Sequence, residues 1–244
     1  MNYPRIIAHR CGGALAPENS LAGLDLAARL GCRGVEFDVM LSADEIPLLI
    51  HDEAVDRTTT GRGQVASLSA EQIRQFEVNS KYHAAFGRAP VPTLKEAMRH
   101  TDRLGLWTNI EIKPATGFET LTGSVVGRWL TQHWNGHGVI SSFSHMALLA
   151  ALQETQAKRP KFRYAALFES LPTDWPSIFA RTGANALHLA AKHVSAREAD
   201  ELNTLGIVWA CYTVNTVIEA TRLFGLGCAA VFTDRPDLWS PEAM

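Results

Sequence analysis

Short runs of β-branched and apolar residues recur about eight times along the chain, each followed by a helix-like stretch, and that rhythm leaves few folds open. The runs are 5–9, 34–38, 106–112, 138–142, 163–168, 186–189, 207–212 and 229–233. Strands joined in parallel through helices need cover on both faces, so the pattern predicts an α/β protein. A (β/α)8 TIM barrel is expected, with a doubly wound sheet as the lesser option. The stretch 20–30 illustrates the helices: Leu21, Leu24 and Ala28 recur at spacings of three and four, which makes one buried face. Thr93/Glu96 and Ser195/Glu198 have the spacing of capping boxes, while Gly31, Gly183, Gly206 and Gly225 mark helix ends.

Two segments break the rhythm. Between Asp38 and His51 there is no room for a helix, so the run from Ile46 to Ile50 must fold back as an antiparallel hairpin. A turn near Asp44-Glu45 sets His51 roughly opposite Asp38. The segment 53–92 is too long for an ordinary barrel connection. It carries a TTTGRG turn, a helical stretch from Ser69 to about Phe76, and the aromatics Tyr82 and Phe86. Because it emerges just after His51, it is expected to be a small cap inserted over the barrel mouth. The whole of 1–244 reads as a single domain.

A formal charge of −2 gives no electrostatic reason to expect nucleic acid or an anionic membrane as partner. No apolar run is long enough to span a bilayer, and the opening residues run straight into a strand, so neither stable membrane association nor a leader is expected. Cys11, Cys32, Cys211 and Cys228 have neither CxxC spacing nor a histidine in metal register. They are expected to be reduced thiols of a cytoplasmic protein. A monomer and a homodimer are both open.

Residues two apart on a strand point the same way, so Glu36 and Asp38 share one face while Val35, Phe37 and Val39 share the other. Glu111 and Lys113 repeat the arrangement. Three carboxylates at the C-terminal end of a barrel would be very costly to bury uncompensated. A divalent cation is the natural compensation, and an all-oxygen donor set favours Mg²⁺ or Ca²⁺. His9 and His51 flank these acids and suit an acid–base pair, one taking the nucleophile's proton and the other protonating the leaving oxygen. The first assignment gives His9 the base role and His51 the acid role. Arg10 and Lys113 suit a phosphate clamp. Trp209 is read as a substrate contact at the mouth or a core residue, Asn215 as a mouth residue or a helix cap, and Glu18 as an acid behind the site. Asn19 or Ser20 caps the first helix. His188 ends a strand and is given a structural role. The whole kit suits metal-assisted attack on a phosphate ester.

In order, the motifs HR-x-G-G…PEN, E-F-D, H-D, E-I-K-P, Y-T-V-N and T-D-x-P resemble the glycerophosphodiester phosphodiesterases from residue 6 to residue 236. Small cytoplasmic bacterial members are the most similar. The resemblance implies a TIM barrel with an inserted cap, Glu36, Asp38 and Glu111 as metal ligands, and His9 and His51 as the acid–base pair. It implies hydrolysis of glycerophosphodiesters, such as glycerophosphocholine or glycerophosphoethanolamine, to sn-glycerol 3-phosphate and an alcohol. Water and the neighbouring glycerol hydroxyl both remain open as nucleophile. The alternatives are a lysophospholipase-D-like activity on acyl-bearing substrates and a barrel that binds a phosphodiester without cleaving it. One departure stands out. Cys11 follows the HR pair where the family commonly has glycine, which implies either backbone strain or a thiol beside the phosphate.

Overall fold

In the computed structural model, which describes residues 2–158 and 162–239, nine strands join in one sheet. They are β1 (Ile6–Ala8), β2 (Gly34–Leu41), β3 (Pro47–Leu49), β4 (Trp107–Ile112), β5 (Gly138–Ser142), β6 (Tyr164–Phe168), β7 (Ala186–Ala190), β8 (Val208–Tyr212) and β9 (Ala230–Thr233). β1 pairs in parallel with both β2 and β9, so every strand except β3 belongs to a closed ring of eight. The fold is a TIM barrel, with β3 bonded antiparallel outside the ring.

Around the ring lie α1 (Leu21–Arg29), α4 (Leu94–Leu104), α5 (Glu119–His133), α6 (His145–Thr155), α7 (Trp175–Arg181), α8 (Ala196–Thr204) and α9 (Val217–Gly225). The shorter α2 (Ala70–Ile73) and α3 (Asn79–Tyr82) belong to the inserted segment. Both expected capping boxes form, and Ser69/Gln72 adds a third at α2. α1 turns slightly from the expected face, burying Gly23, Leu24 and Ala27 and leaving Leu21 and Ala28 half-buried. α9 ends at Gly225 as expected, and the left-handed residue just beyond it is Gly227.

Strand alternation sorts the core into two layers. Val35, Phe37, Val39, Ile110 and Ile112 face outward into the shell packed by the helices. Ile7, Trp107, Val139, Ala165, Ala186, Ala210 and Ala230 fill the barrel interior. The small alanines leave space there that Tyr3 occupies, with its ring 5.0 Å from Trp107 and its hydroxyl 2.9 Å from His188 Nε2. One end of the barrel is thus plugged by aromatic rings, and the polar side chains collect at the other.

The hairpin forms with a register one residue from expectation. Val39, Met40 and Leu41 pair with Leu49, Leu48 and Pro47, which sets Ile50, not His51, across from Asp38. The cause is the loop 42–46, which is centred on Asp44 and closed by Ser42 accepting from Glu45. The segment 53–92 has its own apolar core, in which Val55, Val65, Ile73, Val78 and Val91 pack on Met40, Leu48 and Ile50 of the hairpin. Its first helix is shorter than expected, ending at Ile73.

Candidate active site

At the C-terminal end of β2 and β4, Asp38 and Glu111 are register partners, and Glu36 lies one inward position below Asp38. All three are buried, and one oxygen from each falls within 4.8 Å of the others. Burial, and then the neighbouring Asp38 carboxylate, push Glu36 well above the ordinary carboxylate range and Glu111 up to about 8. The cluster is short of positive charge. Glu36 Oε1 and Asn109 Oδ1 are buried without a hydrogen-bond partner, although nearly all buried oxygens in folded proteins have one. Asn109 is the register partner of Glu36. A donor set of hard oxygens with spare lone pairs and excess negative charge fits a divalent cation of the Mg²⁺ or Ca²⁺ type.

Two loops after strands aim the remaining groups. After β1 the chain turns through Arg10 and Cys11 at φ 49° and 74°. The turn lets the Arg10 N–H donate to Glu36 Oε2 at 2.7 Å and the Cys11 N–H donate to the Glu36 carbonyl at 2.7 Å. Cys11 therefore takes the strained alternative, with its thiol buried against the helix shell and pushed up by that burial. Asn19, also at positive φ, clamps Asp38 by donating to Oδ2 at 2.8 Å and accepting its N–H at 3.0 Å. Ser20 alone caps α1.

His9 and His51 both reach the cluster, and each has a carboxylate on Nδ1. Asp234, at the end of β9, lies 2.7 Å from His9, whose Nε2 is 3.8 Å from Glu36. Asp52 lies 2.7 Å from His51. A carboxylate only accepts, so each Nδ1 carries a hydrogen, which leaves each Nε2 as the nitrogen not engaged by that carboxylate. Burial pushes the His51 imidazole below its ordinary range, against the opposing pull of Asp38 and Asp52. Asn215 donates to Asp234 Oδ2 at 3.0 Å and accepts the Asp234 N–H at 2.8 Å, so it orients the acid; Thr216 takes the cap of α9. Arg57, from the inserted segment, donates to both oxygens of Asp52 and both of Glu18. Glu18 also receives Arg10 at 3.2 Å. Lys113 lies 3.5 Å from Glu111, with its ammonium over the Phe143 ring.

Trp209 does not join this group, which corrects the substrate-contact reading. On β8, Val208, Ala210 and Tyr212 face inward, so Trp209 points into the helix shell and its indole donates to Asn203 at 3.0 Å. Tyr212 lines the site instead. His188 faces inward below it, where burial alone pushes it down to about 3. Asp234, Arg57 and the orienting role of Asn215 were missed by residue-level reading. Asp234 carried a signal, since it ends a strand at the same rim as the other acids; Arg57 carried none.

The site opens into two cavities that share His9, Arg10 and Thr213. The inner one, about 270 Å³, holds the acids, His51 and the side chains of Phe143, Leu167, Tyr212 and Phe232. The outer one, about 500 Å³, lies under the inserted segment.

Among proteins of known sequence, YhdW of Bacillus subtilis (strain 168) is 29% identical over 238 residues, covering 95% of each chain. A glycerophosphodiester phosphodiesterase of Caldanaerobacter subterraneus is 27% identical over 234 residues, covering 95% of this chain and 94% of its own. Among solved structures, an Oleispira antarctica phosphodiesterase in complex with the product sn-glycerol-3-phosphate superposes with a TM-score of 0.89 at 31% identity, over 96% of this chain and 94% of its own. The profile of the Glycerophosphoryl diester phosphodiesterase family matches residues 9–238, and the chain belongs to that family.

Proposed function

We propose that this phosphodiesterase hydrolyses glycerophosphodiesters to sn-glycerol 3-phosphate and an alcohol, in a reaction that depends on one Mg²⁺ or Ca²⁺. The observation that carries the reading is the Glu36, Asp38 and Glu111 cluster, within 4.8 Å, flanked by two imidazoles that are each held by a carboxylate. A divalent cation held by those three acids would supply positive charge against the phosphate oxygens. Arg10, at the junction of the two cavities, and Lys113, in the inner one, bind and orient the phosphate.

The geometry favours exchanging the first assignment of the histidines. His51, kept neutral by burial and placed beside the inner cavity, takes the nucleophile's proton on Nε2, with Asp52 fixing its tautomer. His9, at the junction and braced by Asp234, delivers a proton from Nε2 to the departing oxygen. The segment 53–92 serves as the cap of a single barrel domain. The cysteines, buried and unpaired among the described residues, support a reducing compartment. Among those residues no helix is long and apolar enough to cross a membrane.

The test is glycerol 3-phosphate release from glycerophosphocholine and its relatives, read by a coupled dehydrogenase after EDTA treatment and after return of Mg²⁺ or Ca²⁺. Activity that survives EDTA sinks the metal dependence, and no release with either metal sinks the activity. A second reading, cleavage of acyl-bearing lysophospholipids, is favoured by exposed apolar side chains on the rim elements, Phe118, Phe143 and Met146. Faster release of alcohol from lysophosphatidylcholine than from its deacylated form would select it.

A further inference from the structure

The outer cavity has an uneven charge balance. The two cavities meet at His9 and Arg10, so a diester with phosphorus at that junction sends one ester arm into each. The inner cavity pairs the acid cluster with an apolar wall, which suits the hydroxyl edge and carbon edge of glycerol. The other alcohol then lies in the outer cavity, against Arg57, Thr58, Lys81 and Tyr82.

Three cations line that space, Arg10, Arg57 and Lys81, against two carboxylates, Glu18 and Asp234. Both carboxylates are already taken. Glu18 accepts from two guanidinium groups, and Asp234 accepts from His9 and Asn215. Lys81 donates to the Asp56 carbonyl and forms no salt bridge among the described residues, so its charge is uncompensated. Besides the His9 imidazole, which is braced by Asp234, Tyr82 is the one aromatic ring in the lining, and its hydroxyl is committed to the Ala14 carbonyl. A quaternary ammonium would find neither a free carboxylate nor an aromatic cage, the two devices that recognise such a group. An alcohol rich in hydroxyls would find donors on Lys81 and Thr58 and ample volume.

We infer that the outer cavity selects uncharged polyol head groups, such as glycerol or inositol, over choline, with Lys81 setting the preference. The inference rests on the proposed activity, and the experiment separates their failures. Steady-state kcat/KM is compared for glycerophosphoglycerol, glycerophosphoinositol and glycerophosphocholine, in the metal-loaded wild type and in Lys81→Glu and Lys81→Gln. The polyol diesters are expected to lead by about fivefold, the scale of one solvent-exposed charge. Lys81→Glu should reverse the order, and Lys81→Gln should level it. A choline diester turned over as fast as the polyols, or a ratio unmoved by Lys81→Glu, overturns the inference. If none of the three is hydrolysed, the activity reading falls by itself. The order of their binding constants by titration calorimetry then decides the head-group claim in the same way.

Discussion

The two histidine arms have the same first link and different anchors. His9 is held by Asp234, and Asp234 by the neutral amide of Asn215, all three from the ends of β1, β8 and β9 or the loops directly after them. His51 is held by Asp52, and Asp52 by the half-exposed guanidinium of Arg57, in the chain that leads into the inserted segment. One imidazole is positioned by closure of the barrel and the other by the insertion, where a cation sits at the second link. The difference gives one pair of like residues unlike electrostatic surroundings. An amide behind Asp234 leaves its full charge for His9, whereas Arg57 holds Asp52 far below the usual carboxylate range and competes for its oxygens.

The largest expected effects test what the arms share. His9→Ala and His51→Ala should each lower kcat by about a thousandfold, the middle of the range for acid–base groups. Near-normal turnover in either variant removes that residue from the chemistry. The carboxylates should then separate the arms. Asp234→Asn should cost about a hundredfold in kcat, because it removes the charge that steadies a protonated His9, and Asp52→Asn less, because Arg57 already draws on the Asp52 charge that would steady His51 once it has taken the proton. Equal losses, or the opposite order, would return His9 to the base role.

A third imidazole sharpens the comparison because it has no carboxylate. His188 is buried, touches the Tyr3 hydroxyl, and has its pKa pushed down to about 3 by desolvation. The unfolded chain takes up this proton below about pH 6.5 while the folded chain does not, so stability falls as pH drops through the window from about 6.5 to 3 and is unaffected above it. Between pH 7 and pH 5 the linkage amounts to about 2 kcal/mol. Urea unfolding at the two pH values should show that loss in the wild type and a smaller one in His188→Gln. Identical slopes would mean that His188 charges within the fold.

Arg57→Ala removes the cation from the His51 arm, and with it the clamp on Glu18, which keeps its bond to Arg10. Asp52 then has only His51 to serve, so the imidazole pKa rises. The acidic limb of the kcat/KM profile, set by the need for neutral His51, should move to higher pH, with about a tenfold loss at pH 6 and much less at pH 8. A uniform loss across pH would make Arg57 a structural brace only.

Much of this architecture was legible in the residues. Barrel topology followed from strand–helix alternation, since parallel strands and their covering helices impose period and order on the whole chain. Glu36, Asp38 and Glu111 were legible for a related reason, because alternation puts residues two apart on one face. The same rule left Trp209 open between the mouth and the core. Its phase depends on which of Trp209 and Ala210 turns inward, and the crowded barrel interior takes the alanine. The hairpin register slipped by one because a loop centred on Asp44 reads much like one centred on the Asp44-Glu45 bond. Arg57 and the Asn19 clamp on Asp38 were illegible because nothing periodic connects residues that meet through loops.

Cys11 yields the smallest expected effect, and it tests how much of the barrel arm resides in one loop. Holding a non-glycine residue at φ 74° costs about 1 kcal/mol, which Cys11→Gly would recover. The thiol is buried against α1, where even a Cβ on Gly23 would come within 2.9 Å of the Cys11 Cβ, so deleting it opens a gap costing about 1 kcal/mol in lost burial. The two changes oppose each other at similar size, and calorimetry should find stability altered by less than about 1 kcal/mol. Turnover should stay within about twofold, because the contacts that place His9 and Arg10 run through the Arg10 and Cys11 backbone N–H groups and through Asp234, none of which uses the sulfur. For the same reason, iodoacetamide should leave the folded enzyme active. A loss of a decade or more in Cys11→Gly would mean that the side chain, and not only the backbone turn, sets the position of His9.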